Sequence, residues 1–144
     1  MKKTALHILT LLAVLSCSVL LGACTRNHGD IGIWFGTWHV EQIIANGTRV
    51  NVGGDYFFQF QNKVFRVSQV SGLEQMVESF GTWDEADGGN MVIAFPAPDV
   101  FYIQMPGLES HNDFAVVRES SRSITFTKVD ASGNNYTHIL RKQP

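Results

Sequence analysis

The chain has 144 residues, of which 44% are hydrophobic and 17% are charged, and its formal net charge is −2. Lys2 and Lys3 are the only charged residues among the first 23, so the rest of the chain carries 9 basic against 13 acidic residues, a formal net charge of −4. Nucleic acid is excluded as an expected partner, because phosphate backbones are bound by clustered Lys and Arg and the sequence has no such cluster.

The N-terminus has the pattern of a secretory signal peptide. A basic start at Met1-Lys2-Lys3 leads into an apolar run from Ala5 to Leu15. Leu21-Gly22-Ala23-Cys24 resembles the lipobox of bacterial lipoproteins, which implies cleavage before Cys24 and acylation of that cysteine with palmitate-type chains. Each buried methylene adds about 0.8 kcal/mol of membrane affinity, so several chains anchor a protein firmly. An uncleaved transmembrane helix is disfavoured by the polar residues inside the run and by the absence of a basic stop after it.

These features divide the chain into three parts. Residues 1–23 are predicted as the signal peptide, 24–31 as the lipidated cysteine with a short tether, and 32–144 as one folded domain. The residue after Cys24 is Thr25 rather than Asp, which by resemblance to enterobacterial sorting implies the outer membrane. Thr25-Arg26-Asn27-His28 lacks the acidic cluster associated with surface export of lipoproteins, which favours the periplasmic side. No cysteine follows Cys24, so we expect neither a disulfide framework nor a thiolate metal site.

After the tether, side chains alternate with period two, which is typical of half-buried strands. Trp34, Gly36, Trp38, Val40 and Ile44 share one face of the first predicted strand. That strand ends at Asn46-Gly47, a dipeptide that favours tight hairpin turns.

The remaining predicted strands are short and evenly spaced. They lie at 56–61, 64–67, 78–85, 91–95, 100–105, 114–119, 123–129 and 135–141. Residues 73–77 fit either one helical turn or the start of the strand at 78, and the sequence leaves that choice open. The short connections favour a small up-and-down antiparallel β-barrel of about eight strands, and the fold class is all-β.

A family resemblance lies on the same residues. Gly36-Thr37-Trp38 is similar to the Gly-x-Trp first strand of lipocalins, and the order of the aromatic segments resembles the small lipocalin-like domains of Bacteroidetes lipoproteins. The segments are Gly36–Trp38, Tyr56–Phe60, Gly81–Trp83 with Met91–Ile93, and Tyr136–Arg141. The resemblance implies a barrel that binds a small apolar ligand. It also implies that an arginine near the last strand packs over the first-strand tryptophan, which pairs Trp38 with Arg141 at the barrel base.

Aromatic residues are concentrated in the predicted barrel. Seven of them are candidates to line a cavity: Tyr56, Phe58, Phe60, Trp83, Tyr102, Phe126 and Tyr136. The same side chains can instead pack against each other, since small barrels are commonly filled by their own side chains. The segment from Met105 to Asp113 has mixed chemistry and is the candidate for a barrel mouth or a partner contact.

Three functional hypotheses follow. The first is a membrane-anchored binding module for a small apolar ligand, and the second is an interaction or structural envelope lipoprotein that docks on another protein or glycan. The third, a hydrolase, is the weakest, because His39, His111 and His138 lack the spacing of a recognisable catalytic constellation. We therefore expect neither an enzyme nor a metal or cofactor.

Overall fold

The structure is a computed structural model that describes residues 32–72, 75–96 and 103–144. In these ranges the chain forms nine β-strands and a 3-10 turn at Asp87–Gly89. The strands are β1 Gly36–Ala45, β2 Thr48–Arg49, β3 Asp55–Gln61, β4 Val64–Ser71, β5 Gln75–Ala86, β6 Asn90–Ala94, β7 His111–Arg118, β8 Ser123–Val129 and β9 Asn135–Lys142. The predicted signal peptide, Cys24 and the tether lie outside the described residues.

Eight of the strands close into an antiparallel barrel. Each strand from β3 to β9 pairs with its neighbour along the chain, β1 pairs with β3, and β1 also pairs with β9, which closes the ladder. The two-residue β2 pairs with the end of β1 through the predicted turn, where Asn46 and Gly47 have φ of 50° and 80°. The predicted all-β, up-and-down barrel of about eight strands is therefore confirmed.

Residues 33–144 form one compact unit, which we call the barrel domain. Among the described residues, its core cluster of buried hydrophobic side chains runs from Trp34 to Leu140. Closure gives every barrel strand a partner on both sides, although β5 pairs with β6 only from Thr82 to Ala86.

Alternation along the strands decides which side chains reach the interior. On β3, Tyr56, Phe58 and Phe60 are buried, while Asp55 and Gln61 are exposed. On β1 the alternation changes, because a β-bulge between Val40 and Gln42 shifts the register against β9. A bulge inserts one extra residue and so moves the following side chains to the opposite face. The core residue after it is Ile43, and the prediction of Ile44 was wrong for that reason.

The barrel has two different ends. We call the end where β3, β5, β7 and β9 finish the base, and the end where β1, β4, β6 and β8 finish the mouth. The base is joined by short connections at 62–63, 87–89 and 119–122. The mouth carries the long connection between β6 and β7, and that connection distinguishes the two ends.

The predicted strand at 100–105 is wrong where the structure describes it, because Ile103, Gln104 and Met105 have no strand assignment. Ile103 and Met105 are nevertheless buried on either side of an exposed Gln104. Their alternation comes from packing against the mouth and not from pairing in the ladder. Within the undecided stretch 73–77, residues 75–77 belong to β5.

Candidate functional site

Four of the seven predicted lining residues meet inside the barrel. Tyr56, Phe58, Phe60 and Phe126 are all buried. The ring of Phe126 lies 6.3 Å from that of Phe58 and 6.4 Å from that of Phe60, measured between centroids. The Phe114 ring stacks on Phe126 at 5.2 Å. In this part of the barrel the aromatic residues fill the interior with their own rings.

The other three predicted lining residues are placed differently. Trp83 meets Phe60 edge-on at 5.4 Å but is partly exposed near the base. Tyr136 is partly exposed near the mouth, where its ring stacks beside His138 at 6.5 Å. Tyr102 lies outside the described residues. A ligand cavity lined by all seven residues stays a prediction.

The base is closed by a cation over a tryptophan, but the cation is not the predicted one. The Nζ of Lys142 lies 5.4 Å from the Trp38 ring centroid and donates a hydrogen bond of 3.1 Å to the Ile33 carbonyl oxygen. Arg141 is on the opposite face of β9, exposed, and its Nε donates to Glu41 at 2.7 Å. The pairing of Trp38 with Arg141 was wrong by one residue, because neighbouring residues of a strand point to opposite faces.

Other contacts make the base rigid. The Trp38 indole donates a hydrogen bond of 2.9 Å to the Trp34 carbonyl oxygen, and the Trp34 indole donates to the Glu85 carboxylate. The Trp34 ring packs against Phe60 at 5.7 Å and against Phe126 at 5.8 Å. Aromatic rings therefore occupy the base, where the Trp34 and Trp38 indoles have acceptors and the buried Nε1 of Trp83 has none among the described residues.

The mouth is covered by residues 103–110, which we call the mouth segment. Ile103, Met105 and Leu108 point into the barrel and belong to its hydrophobic core. Gly107 has φ of 76°, and an added Cβ would lie 2.5 Å from Cγ of Tyr136, so the segment approaches β9 closely at a position that only glycine fits. The segment therefore occupies the space at which the interior would otherwise open.

Hydrogen bonds hold the mouth segment to the barrel at several separate points. Tyr56 Oη donates to the Gln104 carbonyl oxygen at 3.2 Å, and His138 Nε2 lies 2.8 Å from the Pro106 carbonyl oxygen. At the end of the segment, the backbone amide of Phe95 donates a hydrogen bond of 2.8 Å to the Ser110 carbonyl oxygen. Because the mouth segment has no ladder pairing, it can move outward without disrupting the pairing of the barrel strands.

A buried charge lies beneath the mouth segment. Lys128 is only 6% exposed, and its Nζ donates to Glu109 Oε2 at 2.6 Å and to Asn112 Oδ1 at 2.9 Å. Asn112 is itself held by bonds to the backbone of Glu109 and to the Ile93 carbonyl oxygen. A buried ammonium is expensive unless it is paired, so the Glu109 carboxylate of the mouth segment stabilises Lys128 in place.

A second polar group in the same region lacks a complete set of partners. His138 is fully buried, and its Nε2 must carry the proton that the Pro106 carbonyl oxygen accepts. Nδ1 is therefore an acceptor, and it has no hydrogen-bond partner among the described residues. Burial lowers the pKa of His138 from 6.5 to about 4; the bond to Pro106 opposes this shift and the charge of Lys128 adds to it.

Sequence reasoning missed both polar groups, although part of the signal was present. Ile124, Phe126 and Lys128 alternate on β8, so the period that places Phe126 inside also places Lys128 inside. His138 occupies the equivalent inward position on β9, opposite Phe126. Their partners Glu109 and Pro106 come from a connection of irregular structure, which alternation cannot place.

A separate groove of about 490 Å³ lies at the rim of the mouth and is partly open to solvent. It lies between β1, residues 49–55 and the end of β4, and its lining mixes Val50 and Val52 with Arg49. His39 Nε2 and Asp55 Oδ1 are 3.1 Å apart beside it. We call it the rim groove.

Two further properties concern the described residues alone. No group of three or more His, Cys, Asp or Glu side chains among them is arranged to hold a metal ion. None of their helical segments has the length and apolar character required to cross a bilayer.

Comparison with known proteins identifies the fold. No protein-family model matches the sequence, and no curated protein does. Among solved structures, the chain is similar to a lipocalin-like protein from Bacteroides uniformis, with a TM-score of 0.61 and 21% identity over 78% of this chain and 100% of that one. It is also similar to an uncharacterized protein from Bacteroides eggerthii, with a TM-score of 0.57 and 14% identity over 76% and 99% of the two chains. The chain therefore has a lipocalin-like barrel fold, as the sequence resemblance implied.

Proposed function

We propose that this protein is a lipid-anchored binding protein of the bacterial envelope, which takes up a small apolar molecule in the mouth half of its barrel. The observation that carries the proposal is that three inward polar side chains, Tyr56, Lys128 and His138, each contact the mouth segment beside its buried apolar residues. Small-molecule sites have this composition, with apolar walls and a few placed polar groups. The proposed role is binding without catalysis.

The mouth segment supplies the means of access. Ile103, Met105 and Leu108 bury apolar surface that is worth roughly 1.5 to 3 kcal/mol for each side chain. A ligand tail that replaced these three side chains would recover a comparable free energy, so exchange between segment and ligand is close to balanced. Binding is thus expected to move the segment outward while the barrel strands stay in place.

The experiment is native mass spectrometry of the barrel domain after incubation with a bacterial lipid extract. The chain from Thr25 is first checked for folding by circular dichroism. A reproducible added mass that organic extraction removes supports binding. A bare protein mass after incubation with lipid extract, fatty acids and quinones contradicts it.

One observation favours the second candidate function, docking on another envelope protein. The outer face of β4 and β5 exposes Val64, Met76 and Phe80, each at 50% or more. Exposed apolar patches on soluble domains often mark interaction surfaces. Phe80→Ser paired with cross-linking in intact cells tests this candidate, because loss of a cross-linked partner supports docking and an unchanged pattern contradicts it.

The anchor is part of the proposal and is tested separately. Cys24 is the proposed acylation site, and the outer membrane facing the periplasm is the proposed location. Metabolic labelling with a palmitate analogue is expected to label the wild-type chain and to leave Cys24→Ser unlabelled. Label that persists in the variant, or its absence from the wild type, contradicts the anchor.

A further inference from the structure

We propose that the ligand is an amphiphilic carboxylic acid with a hydroxyl group near its carboxylate, and that Glu109 of the mouth segment occupies the carboxylate position in the closed barrel. This inference rests on the proposed function and names the chemistry of its ligand. It is drawn from the contacts of Lys128 and His138.

Lys128 requires an anion wherever the mouth segment lies. Its Nζ reaches one carboxylate, that of Glu109, at 2.6 Å, together with the neutral amide oxygen of Asn112. The two partners differ in burial, since the Lys128 side chain is 3% exposed and the Glu109 side chain is 46% exposed. If the segment moves outward, Glu109 regains water, but Lys128 stays on β8 with an unpaired charge. A ligand carboxylate resolves that imbalance by taking the place of Glu109.

The exchange conserves charge. The ligand carboxylate replaces the Glu109 carboxylate beside Lys128, so the electrostatic interaction is retained. The apolar tail of the ligand replaces Ile103, Met105 and Leu108 in the core. A neutral amphiphile, such as an alcohol, would leave Lys128 without its counter-ion. The site therefore discriminates by charge and not only by shape.

His138 adds the second requirement. Lys128 pairs with Tyr136 and Phe126 pairs with His138 across β8 and β9, so Lys128 and His138 are diagonal neighbours on the inner face. The Cα atoms of such diagonal neighbours are roughly 7 to 8 Å apart. In the closed barrel Nδ1 of His138 is an acceptor with no partner among the described residues. When the mouth segment moves outward, the neutral ring still keeps one acceptor nitrogen. A hydroxyl near the carboxylate would donate to that nitrogen while the carboxylate accepts from Lys128.

The test compares three probes of equal chain length, dodecanol, dodecanoic acid and β-hydroxydodecanoic acid, titrated into the folded barrel domain by calorimetry at pH 7.4. We expect the acid to bind roughly tenfold to a hundredfold more tightly than the alcohol, and the hydroxy acid more tightly again. Lys128→Met should remove the preference for acids while keeping the binding of dodecanol. Lys63→Met, which removes an exposed lysine at the base, is the matched control and should keep the wild-type order.

Glu109→Gln provides an independent arm that changes the mouth segment and leaves every residue of the barrel strands in place. The amide keeps an acceptor near Lys128 but removes the competing charge, so affinity for both acids should rise by roughly threefold to tenfold. Equal affinity for acid and alcohol in the wild type overturns this inference while barrel binding stands. Binding of none of the probes or other lipids overturns the proposed function as well. Equal affinity for the two acids overturns the role of His138.

Discussion

The base and the mouth of the barrel are built on opposite principles. At the base, rings pack against rings, the Trp38 and Trp34 indoles have acceptors, and Lys142 covers Trp38. At the mouth, a segment without strand pairing lies over Lys128 and a histidine with an unpartnered nitrogen. Under the proposed function, the base supplies stability and the mouth supplies recognition. Four predictions test this division, in order of decreasing size.

The largest effect is expected at the base. Trp38→Ala removes a fully buried indole, and large-to-small changes of this type cost about 3 to 5 kcal/mol. Urea unfolding followed by circular dichroism measures the loss. A loss below about 1 kcal/mol would mean that the base does not carry the stability we assign to it.

The second prediction concerns the mouth and pH. Because the pKa of His138 is about 4 in the folded chain and 6.5 in its ordinary state, the unfolded chain binds a proton in this interval that the folded chain does not. Stability is therefore complete above pH 6.5 and falls by about 3 kcal/mol as the pH drops to 4. The free energy of unfolding, measured by urea denaturation at several pH values, checks this.

His138→Phe should flatten that profile between pH 6.5 and 4. The matched control is His111→Phe, since His111 is exposed on β7 and lies outside the core. Asp84 and Asp130, whose carboxyl pKa values are lowered by hydrogen bonds from Lys63 and Asn134, act mainly below this interval. A slope that survives in His138→Phe would assign the pH dependence to other groups.

The third prediction addresses the close approach of the mouth segment to β9. Gly107→Ala places a methyl group against the Tyr136 ring and forces a left-handed backbone on alanine, at an expected cost of about 2 to 3 kcal/mol. Gly133→Ala shares the positive φ, at 84°, but nothing lies within 4 Å of its added Cβ, so only about 1 kcal/mol is expected. The free energies of unfolding of the two variants, measured in urea, differ by the steric cost of the contact with Tyr136. Equal losses would contradict the packing of Gly107 on Tyr136.

The smallest effects separate the two cations of β9. Lys142→Ala should cost about 1 to 2 kcal/mol, because it removes the cation over Trp38 and the bond to the Ile33 carbonyl oxygen. Arg141→Ala removes an exposed ion pair and should cost less than about 1 kcal/mol. Thermal unfolding of both variants side by side is the measurement. The reverse order would restore Arg141 as the residue that closes the base.

Local patterns predicted most of the barrel. Burial alternates without interruption at Tyr56, Phe58 and Phe60, so the strand follows from the sequence pattern. The turn follows from local chemistry too, because Asn46-Gly47 favours the positive φ values that both residues adopt. Ile103 and Met105 alternate in the same way but form no strand. Pattern alone cannot distinguish a ladder strand from a segment that packs across a barrel end.

The errors near the site have a common cause, which is register. A one-residue bulge in β1 places Ile43 in the core instead of Ile44. On β9, Lys142 lies over Trp38 instead of its neighbour Arg141. The bulge is not visible in the sequence. Lys142, however, shares the parity of the inward residues His138 and Leu140, so alternation along β9 could have identified it. The protonation pattern of the His138 ring was also beyond sequence reasoning, because it is set by the Pro106 carbonyl oxygen, 32 residues away.

The seam between β1 and β9 has a consequence for how the chain acquires its structure. The first and last barrel strands are neighbours, and Trp38 pairs with Lys142 across more than a hundred residues. Until β9 is in place, one of the two hydrogen-bonding edges of β1 has no partner. Contacts of such long sequence separation slow folding and expose strand edges in the meantime. The step that brings β9 to β1 is therefore expected to decide how long the folding chain exposes that edge to aggregation.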